Sequence, residues 1–307
     1  MLVLWLVVVL GTMAIGVATS VRGEVSVVGN LRARSAARYA AESGVVVAQA
    51  RLEALLRATP NPVDRARAFR ELERGFGDLR EAAAGSSRFG VAVADLNARL
   101  DLNHAEPATL RNFLLQFVGE REASAIAVAI EDWRDPDAGA RPGGAEAPEY
   151  ARAGSLFEPS NAPFERLEEL RRVLGMTDSL AYRIAPFVTV DGDGRVNINS
   201  AERTVLASLP GIGPEGARNL LERRASGEIF TSAGVVEQIL RRGGSQERSG
   251  TEPGGVIGAA RTSTVPSRVL VISRGWQDGH PLSHEIQAVF AVAGSRLVLR
   301  AWRERDL

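Results

Sequence analysis

The chain has 307 residues, 45% of them apolar, and a formal net charge of zero. That is enough for one large packed domain or two modest ones and excludes wholesale disorder, while the balanced charge argues against a dedicated nucleic-acid binder, which carries a basic excess. The absence of cysteine excludes disulfides, thiolate metal sites and cysteine nucleophiles, and all 37 basic residues are arginine, the mark of a GC-rich coding bias.

Residues 2–21 read LVLWLVVVLGTMAIGVATSV, with no charge before Arg22. Twenty helical residues at 1.5 Å each span roughly 30 Å, the thickness of a bilayer core, so a transmembrane helix is predicted. The rival is a cleaved secretory signal, with Ala18-Thr19-Ser20 as small residues for cleavage. It lacks a basic n-region, and its apolar run is long for an h-region. No proline occurs before Pro60, so the helix can continue to about Arg57. Leu31, Ala36, Tyr39, Val46, Ala50, Leu52 and Leu55 recur at rough helical spacing. The whole would be roughly 85 Å long, an apolar half fused to an amphipathic half, the anatomy of a type IV pilin stalk. The face of Leu31, Tyr39 and Val46 is expected to meet partner stalks, or else its own sheet. A pilin-like precursor needs a short basic leader ending in glycine for prepilin peptidase. Only Met1 precedes the run, so the expectation is a start codon assigned too late or a leader already removed.

The body follows. A short helix is predicted over Val63–Ala84. Arg88–Asp95 and Ala98–Asn103 alternate apolar and polar residues and read as a two-stranded hairpin. Helices are predicted at 106–117, 121–133, 164–174, 177–185, 201–208, 214–225 and 232–240, with an irregular acidic loop over 132–160. Two short strands, Phe187–Val190 and Arg195–Ile198, flank an Asp191-Gly-Asp-Gly turn. Residues 242–262 are Gly- and Ser-rich and read as a flexible loop. Strands return at 268–273, 285–292 and 296–302. The simplest architecture is α+β: a stalk helix packed on an antiparallel sheet, with a helical domain inserted between strands.

An internal repeat links Asn103-His-Ala-Glu-Pro-Ala-Thr-Leu110 with Asn199-Ser-Ala-Glu-Arg-Thr-Val-Leu206. In each copy the asparagine is placed to cap a helix, with the glutamate in its first turn. The second copy continues Leu209-Pro-Gly-Ile-Gly-Pro-Glu-Gly-Ala217 and resembles a helix-hairpin-helix; the first has Phe117-Val-Gly-Glu there and looks degenerate. Arg218, Arg223 and Arg224 lie close by, but Glu215 and Glu222 offset them. A glycine turn used for helix packing is favoured over a phosphate site.

In the acidic loop, Asp132, Asp135, Asp137, Glu146 and Glu149 gather carboxylates in one irregular segment. Such oxygen-rich loops suit Ca²⁺, which takes six to eight oxygens in loose geometry; the spacing is not that of an EF-hand. Histidine occurs only at 104, 280 and 284, and no nucleophile elbow, HExxH, Walker loop or dinucleotide fingerprint is present, so no catalytic residue is predicted.

Leu2-Val-Leu-Trp-Leu, Ala40-Ala-Glu-Ser-Gly-Val-Val-Val-Ala, Asp95-Leu-Asn-Ala-Arg-Leu-Asp-Leu-Asn, Ile130-Glu-Asp-Trp-Arg-Asp-Pro-Asp, Gly144-Ala-Glu, Asn161-Ala-Pro-Phe-Glu-Arg-Leu-Glu-Glu-Leu and Val196-Asn-Ile-Asn-Ser-Ala, in this order, resemble the K-type minor pseudopilins of type II secretion over nearly the whole chain. The resemblance implies a pilin fold with a large inserted α-helical domain holding helix-hairpin-helix-like repeats. Its divisions would be a transmembrane half-stalk at 1–22, stalk and first strands at 23–104, inserted domain at 105–262 and closing strands at 263–307. It implies a periplasmic body anchored in the inner membrane at the tip of a pseudopilus, joined to I- and J-type minor pseudopilins and capping assembly. It also implies calcium in the inserted domain, at Asp132, Asp135, Asp137, Glu146 and Glu149. Ala147 departs from the acidic residue expected after Gly-Ala-Glu. The glutamate of most pilin-like subunits near the fifth mature position is missing, as expected of a tip subunit. The competing reading is a membrane-anchored helix-hairpin-helix DNA receptor, which would be shorter, basic, and without a closing sheet.

Overall fold

The structure, a computed structural model, describes residues 2–242 and 261–307; for residues 2–4, 6–9, 14–26, 73, 74, 241 and 242 it describes the backbone only. Helix α1 runs unbroken over Leu2–Ala58, as the absence of proline predicts. Its C-terminal half lies on a five-stranded antiparallel sheet built from β1 (Ala82–Ala84), β2 (Ser87–Asp95), β7 (Arg268–Gln277), β8 (Ser283–Ala293) and β9 (Arg296–Asp306), in that order. Ala40, Ala41, Val45, Ala48, Leu52 and Leu56 form the buried stripe of α1. They meet Phe89, Val91 and Val93 of β2, Val269 and Val271 of β7, and Ile286, Ala288 and Phe290 of β8. The strand residues alternate, one face to the helix and one away, as the pleat requires. Alanine dominates the helix stripe because the backbones come close: a Cβ on Gly275 would sit 2.1 Å from the Ala37 carbonyl oxygen.

Between β2 and β7 the chain builds a second, separate core. Its helices are α4 (Pro107–Leu114), α5 (Glu120–Arg134), α6 (Ala147–Arg152), α7 (Asp178–Ile184), α8 (Arg203–Ser208), α9 (Gly213–Ala225) and α10 (Ala233–Arg242). Leu110, Phe113, Ile126, Ile130, Trp133, Tyr150, Ile184, Leu206, Leu220 and Phe230 are buried together there. Residues 62–84, predicted as one helix, form instead α2 (Pro62–Arg70), the four-residue α3 (Leu72–Gly75), a 3₁₀ turn (Gly77–Leu79) and β1. The helix is first interrupted at Glu71, and α3 then ends at the Gly75-Phe-Gly77 pair, since glycine is costly inside a helix. The segment predicted as helix 164–174 is a 3₁₀ turn at Leu167–Arg172, and the irregular acidic loop contains α6.

Both predicted hairpins are overturned. β2 pairs with β1 and β7, not with residues 98–103. The chain leaves β2 through a 3₁₀ turn (Leu96–Ala98), in which Asp95 accepts the Asn97 N–H at 2.8 Å. Then β3 (Leu100–Asp101) pairs in parallel with β4 (Val188–Thr189). In the same way β5 (Val196–Asn197) pairs in parallel with β6 (Thr262–Ser263), and not with β4 across the Asp-Gly turn. Alternation fixes which face a side chain takes but not which strand lies alongside.

The asparagines of the repeat do not cap helices. The residues at the N-cap positions of α4 and α8 are Glu106 and Glu202. Asn103 instead donates to the Phe164 and Val190 carbonyls, both at 3.0 Å, and accepts the Phe164 N–H at 2.8 Å. Asn199 does the same in the second copy, donating to the Phe230 and Thr264 carbonyls and accepting the Phe230 N–H at 3.0 Å. Each amide, buried at Asn199 and half-buried at Asn103, ties the start of a copy to two later backbone segments. The two cores meet at a third such amide: Asn97 accepts from the Ser267 and Arg268 N–H groups, both at 2.8 Å, and donates to Asp193 at 2.7 Å.

Candidate functional site

Two features stand out on this frame. The first is the outward face of α1. Leu31 is 57% exposed, Tyr39 68% and Val46 65%, opposite the alanine stripe that meets the sheet. The alternative that this face packs on the chain's own sheet is therefore excluded. One flank of the same helix is pinned to the edge strand β9. Arg34 pairs with Asp306 at 2.8 Å and Arg38 with Glu304 at 3.0 Å, while Glu53 accepts the Leu297 N–H at 3.0 Å. Between the arginines sits His284, whose two ring nitrogens face Asp306 at 2.8 Å and Glu304 at 3.1 Å. The predicted transmembrane segment, residues 2–21, lies mostly outside the residues with described side chains; among the described residues no helix is long and apolar enough to cross a membrane.

The second feature is the acidic loop. The structure brings three of its five predicted residues together. Asp132, at the end of α5, is fully buried and accepts from the Ala145 N–H at 2.8 Å and from the Arg141 guanidinium at 3.0 Å. Gly144 allows this, since a Cβ there would sit 1.9 Å from the Asp132 Oδ2. Asp135 also pairs with Arg141, and Glu131 lies 3.7 Å from it. Glu146 is buried at the N-cap position of α6. Glu146 Oε1 and Asp135 Oδ1 are enclosed without any hydrogen-bond partner. Burial pushes the Glu146 carboxyl up from its ordinary value, reinforced by Asp132, Asp135, Asp137 and Glu149. The other two predicted ligands are turned elsewhere. Glu149 accepts the Glu146 N–H at 3.0 Å and pairs with Arg152, and Asp137 accepts the Gly139 N–H at 2.8 Å in the exposed loop.

The donor chemistry is therefore only partly that of a cation site. Two buried acceptors lack a donor, yet Arg141 already supplies positive charge to Asp132 and Asp135. Among the described residues no group of three or more acidic or histidine side chains stands placed to hold a metal. Arg141 carried no sequence signal, because its role depends on the loop folding back onto α5.

The α8–α9 turn has the glycine geometry the sequence predicts, with φ of 82° at Gly211 and 62° at Gly213, values that favour glycine. Its arginines are spent inside the chain. Arg218 pairs with Glu215, Arg223 bonds Asn219 and Glu228, and Arg224 donates to the Ala201 carbonyl. Nothing here supports the DNA-receptor reading. In the first copy Gly119 has φ −70° and serves as the N-cap of α5, with no such turn.

The chain is thus a mixed helical and antiparallel-sheet protein, a long N-terminal helix lying on the sheet with a helical unit inserted between β2 and β7. Residues 92–192 match the family model for type II secretion system (T2SS) protein K. Curated relatives named "Type II secretion system protein K" include one from Pseudomonas aeruginosa, 28% identical over 51% of this chain and 50% of its own length. Another, from Klebsiella pneumoniae, is 29% identical over 43% of each chain, and one from Dickeya chrysanthemi is 32% identical over 42% of this chain and 32% of its own. The chain thus matches half or less of the length of these relatives. The fold is shared with a chain of the GspK-GspI-GspJ complex from enterotoxigenic Escherichia coli, at a TM-score of 0.52 and 16% identity over 74% of this chain and 82% of that one. Over these matched parts the chain is similar to type II secretion system protein K.

Proposed function

We propose that this protein is a K-type minor pseudopilin that forms or caps the tip of a type II secretion pseudopilus with I- and J-type partners, a structural rather than a catalytic role. The observation that carries the reading is the exposed apolar face of Leu31, Tyr39 and Val46, held rigid by the sheet beneath α1, on a fold shared with a protein solved as a GspK-GspI-GspJ complex. Such a face needs partner stalks to cover it. Residues 2–21 anchor the chain once in the inner membrane, leaving the body in the periplasm, and prepilin peptidase is the enzyme that would process a leader. The helical unit at 105–262 acts as an inserted domain, with α8–α9 as its helix-hairpin-helix-like element, and its breadth blocks further subunits above it. Calcium is held in the acidic loop by Asp132, Asp135 and Glu146, with Asp137 and Glu149 recruited, once Arg141 swings out.

The test is co-purification of the full chain in detergent with I- and J-type minor pseudopilins. A stable ternary complex is expected for the wild type, and its loss on Tyr39→Asp with Val46→Asp, at unchanged melting temperature. No complex with well-folded partners would remove the tip-subunit reading.

A further inference from the structure

A cleft of about 780 Å³ separates the helical unit from the side of the sheet that faces away from α1. Val188, Thr189 and Val190 form one wall, and Leu270 and Gln287 of the sheet form the other. Four arginines line it: Arg99 after the 3₁₀ turn at Leu96–Ala98, Arg166 from the helical unit, and Arg303 and Arg305 from β9, with Arg305 paired to Glu285. Arg303 is committed, since it pairs with Asp191 through two bonds of 2.7 and 2.8 Å and donates to the Glu165 carbonyl. Arg99 and Arg166 have no ion pair or side-chain donation to any described residue. Arg99 is more than half shielded and makes no side-chain hydrogen bond to a described residue; burial lowers its pKa, with Glu202 pulling the other way from a distance. Its counterpart in the second copy of the repeat, Arg195, is exposed. Of the carboxylates in the cleft, Asp191 is bound to Arg303 and Glu304 to Arg38, His284 and Trp302. The other carboxylates near the two guanidiniums are Glu168, which also faces Arg303, and Glu202, which acts on Arg99.

We propose that this cleft binds an acidic segment of a partner polypeptide, whose carboxylates are taken by Arg99 and Arg166. A guanidinium fork suits a carboxylate, and a half-desolvated one gains more from it than an exposed one does. Trp302, which also lines the cleft, offers an apolar contact between charges. The site lies away from the α1 face and stands or falls separately from the pseudopilin reading.

The experiment measures anisotropy of a labelled Glu-rich decapeptide titrated with the full chain at low ionic strength, with inorganic phosphate as competitor. The wild type is expected to bind, and Arg99→Gln with Arg166→Gln to weaken binding by at least about tenfold with the melting temperature kept. Arg300→Gln, outside the cleft, is expected to leave it unchanged. Absence of wild-type binding, equal loss on Arg300→Gln, or full displacement by phosphate at the peptide's own concentration would each overturn the proposal. The last outcome would mark a small-anion site instead.

Discussion

Gly44 of α1 lies directly against Ser273 of β7: a Cβ on the glycine would sit 2.2 Å from the serine Oγ and 2.8 Å from the Phe89 ring. Gly29, on the same helix, has nothing within 4 Å of the corresponding position. The two glycines should therefore answer opposite ways to one substitution. Gly44→Ala is expected to destabilise by about 1–3 kcal/mol through overpacking, while Gly29→Ala should stabilise by up to about 1 kcal/mol through helix propensity. Urea unfolding of both variants decides it, and equal behaviour would mean that the helix does not sit this close to the sheet.

Asn103 and Asn199 each satisfy three backbone groups in their own copy of the repeat. Truncation strands a donor and two acceptors, in a buried place at Asn199 and a half-buried one at Asn103. Asn199→Ala is expected to cost about 2–4 kcal/mol, and Asn103→Ala a similar amount. Replacement by aspartate should rescue neither, because the two donated bonds require the amide N–H₂. Variants as stable as the wild type would show that water takes over these contacts.

Asp95, where the two cores join, has its carboxylate enclosed by the Asn97 N–H, the Asn197 amide and the Ser200 hydroxyl. Burial pushes its pKa up to about 6, with the hydrogen bonds pulling the other way. The folded state then binds this proton more tightly than the unfolded state does. Stability from this group should rise as pH falls from about 6 to 4, by up to about 3 kcal/mol, and be absent at neutral pH. The check is the wild-type minus Asp95→Asn difference in unfolding free energy across that window. A flat difference would show that the carboxylate is hydrated.

Arg141 holds Asp132 and Asp135 in the place where a cation would sit. Arg141→Gln should lower stability in chelator, because buried carboxylates lose their partner, and raise the gain in melting temperature on adding Ca²⁺ above that of the wild type. Differential scanning fluorimetry with calcium and with EDTA reads both effects. If neither protein responds to calcium while the variant remains folded, the loop is a salt-bridged structural element and not a metal site.

Several elements were legible because they follow from local chemistry. A proline-free run from Leu2 to Ala58 lets one helix continue without interruption. The alternation in 268–273, 285–292 and 296–302 makes strands, and the glycines of 209–213 make a turn that other residues resist. The order of these elements, with the resemblance, was enough to place the chain near protein K.

Partners in space were not legible, since they depend on which distant segment arrives alongside. Leu100 pairs with Val188 and Val196 with Thr262, each across more than sixty residues, where sequence proximity pointed to hairpins. Asn103 and Asn199 precede helices and read as caps, but the N-cap positions fall three residues later, and the returning backbones of Phe164 and Phe230 turn the asparagines into clamps. The acidic loop shows the same division. The sequence by itself determined that carboxylates gather at 132–149; the tertiary structure decided that Arg141 folds back among them while Glu149 and Asp137 turn away, because a buried charge takes the nearest opposite charge that the packing allows.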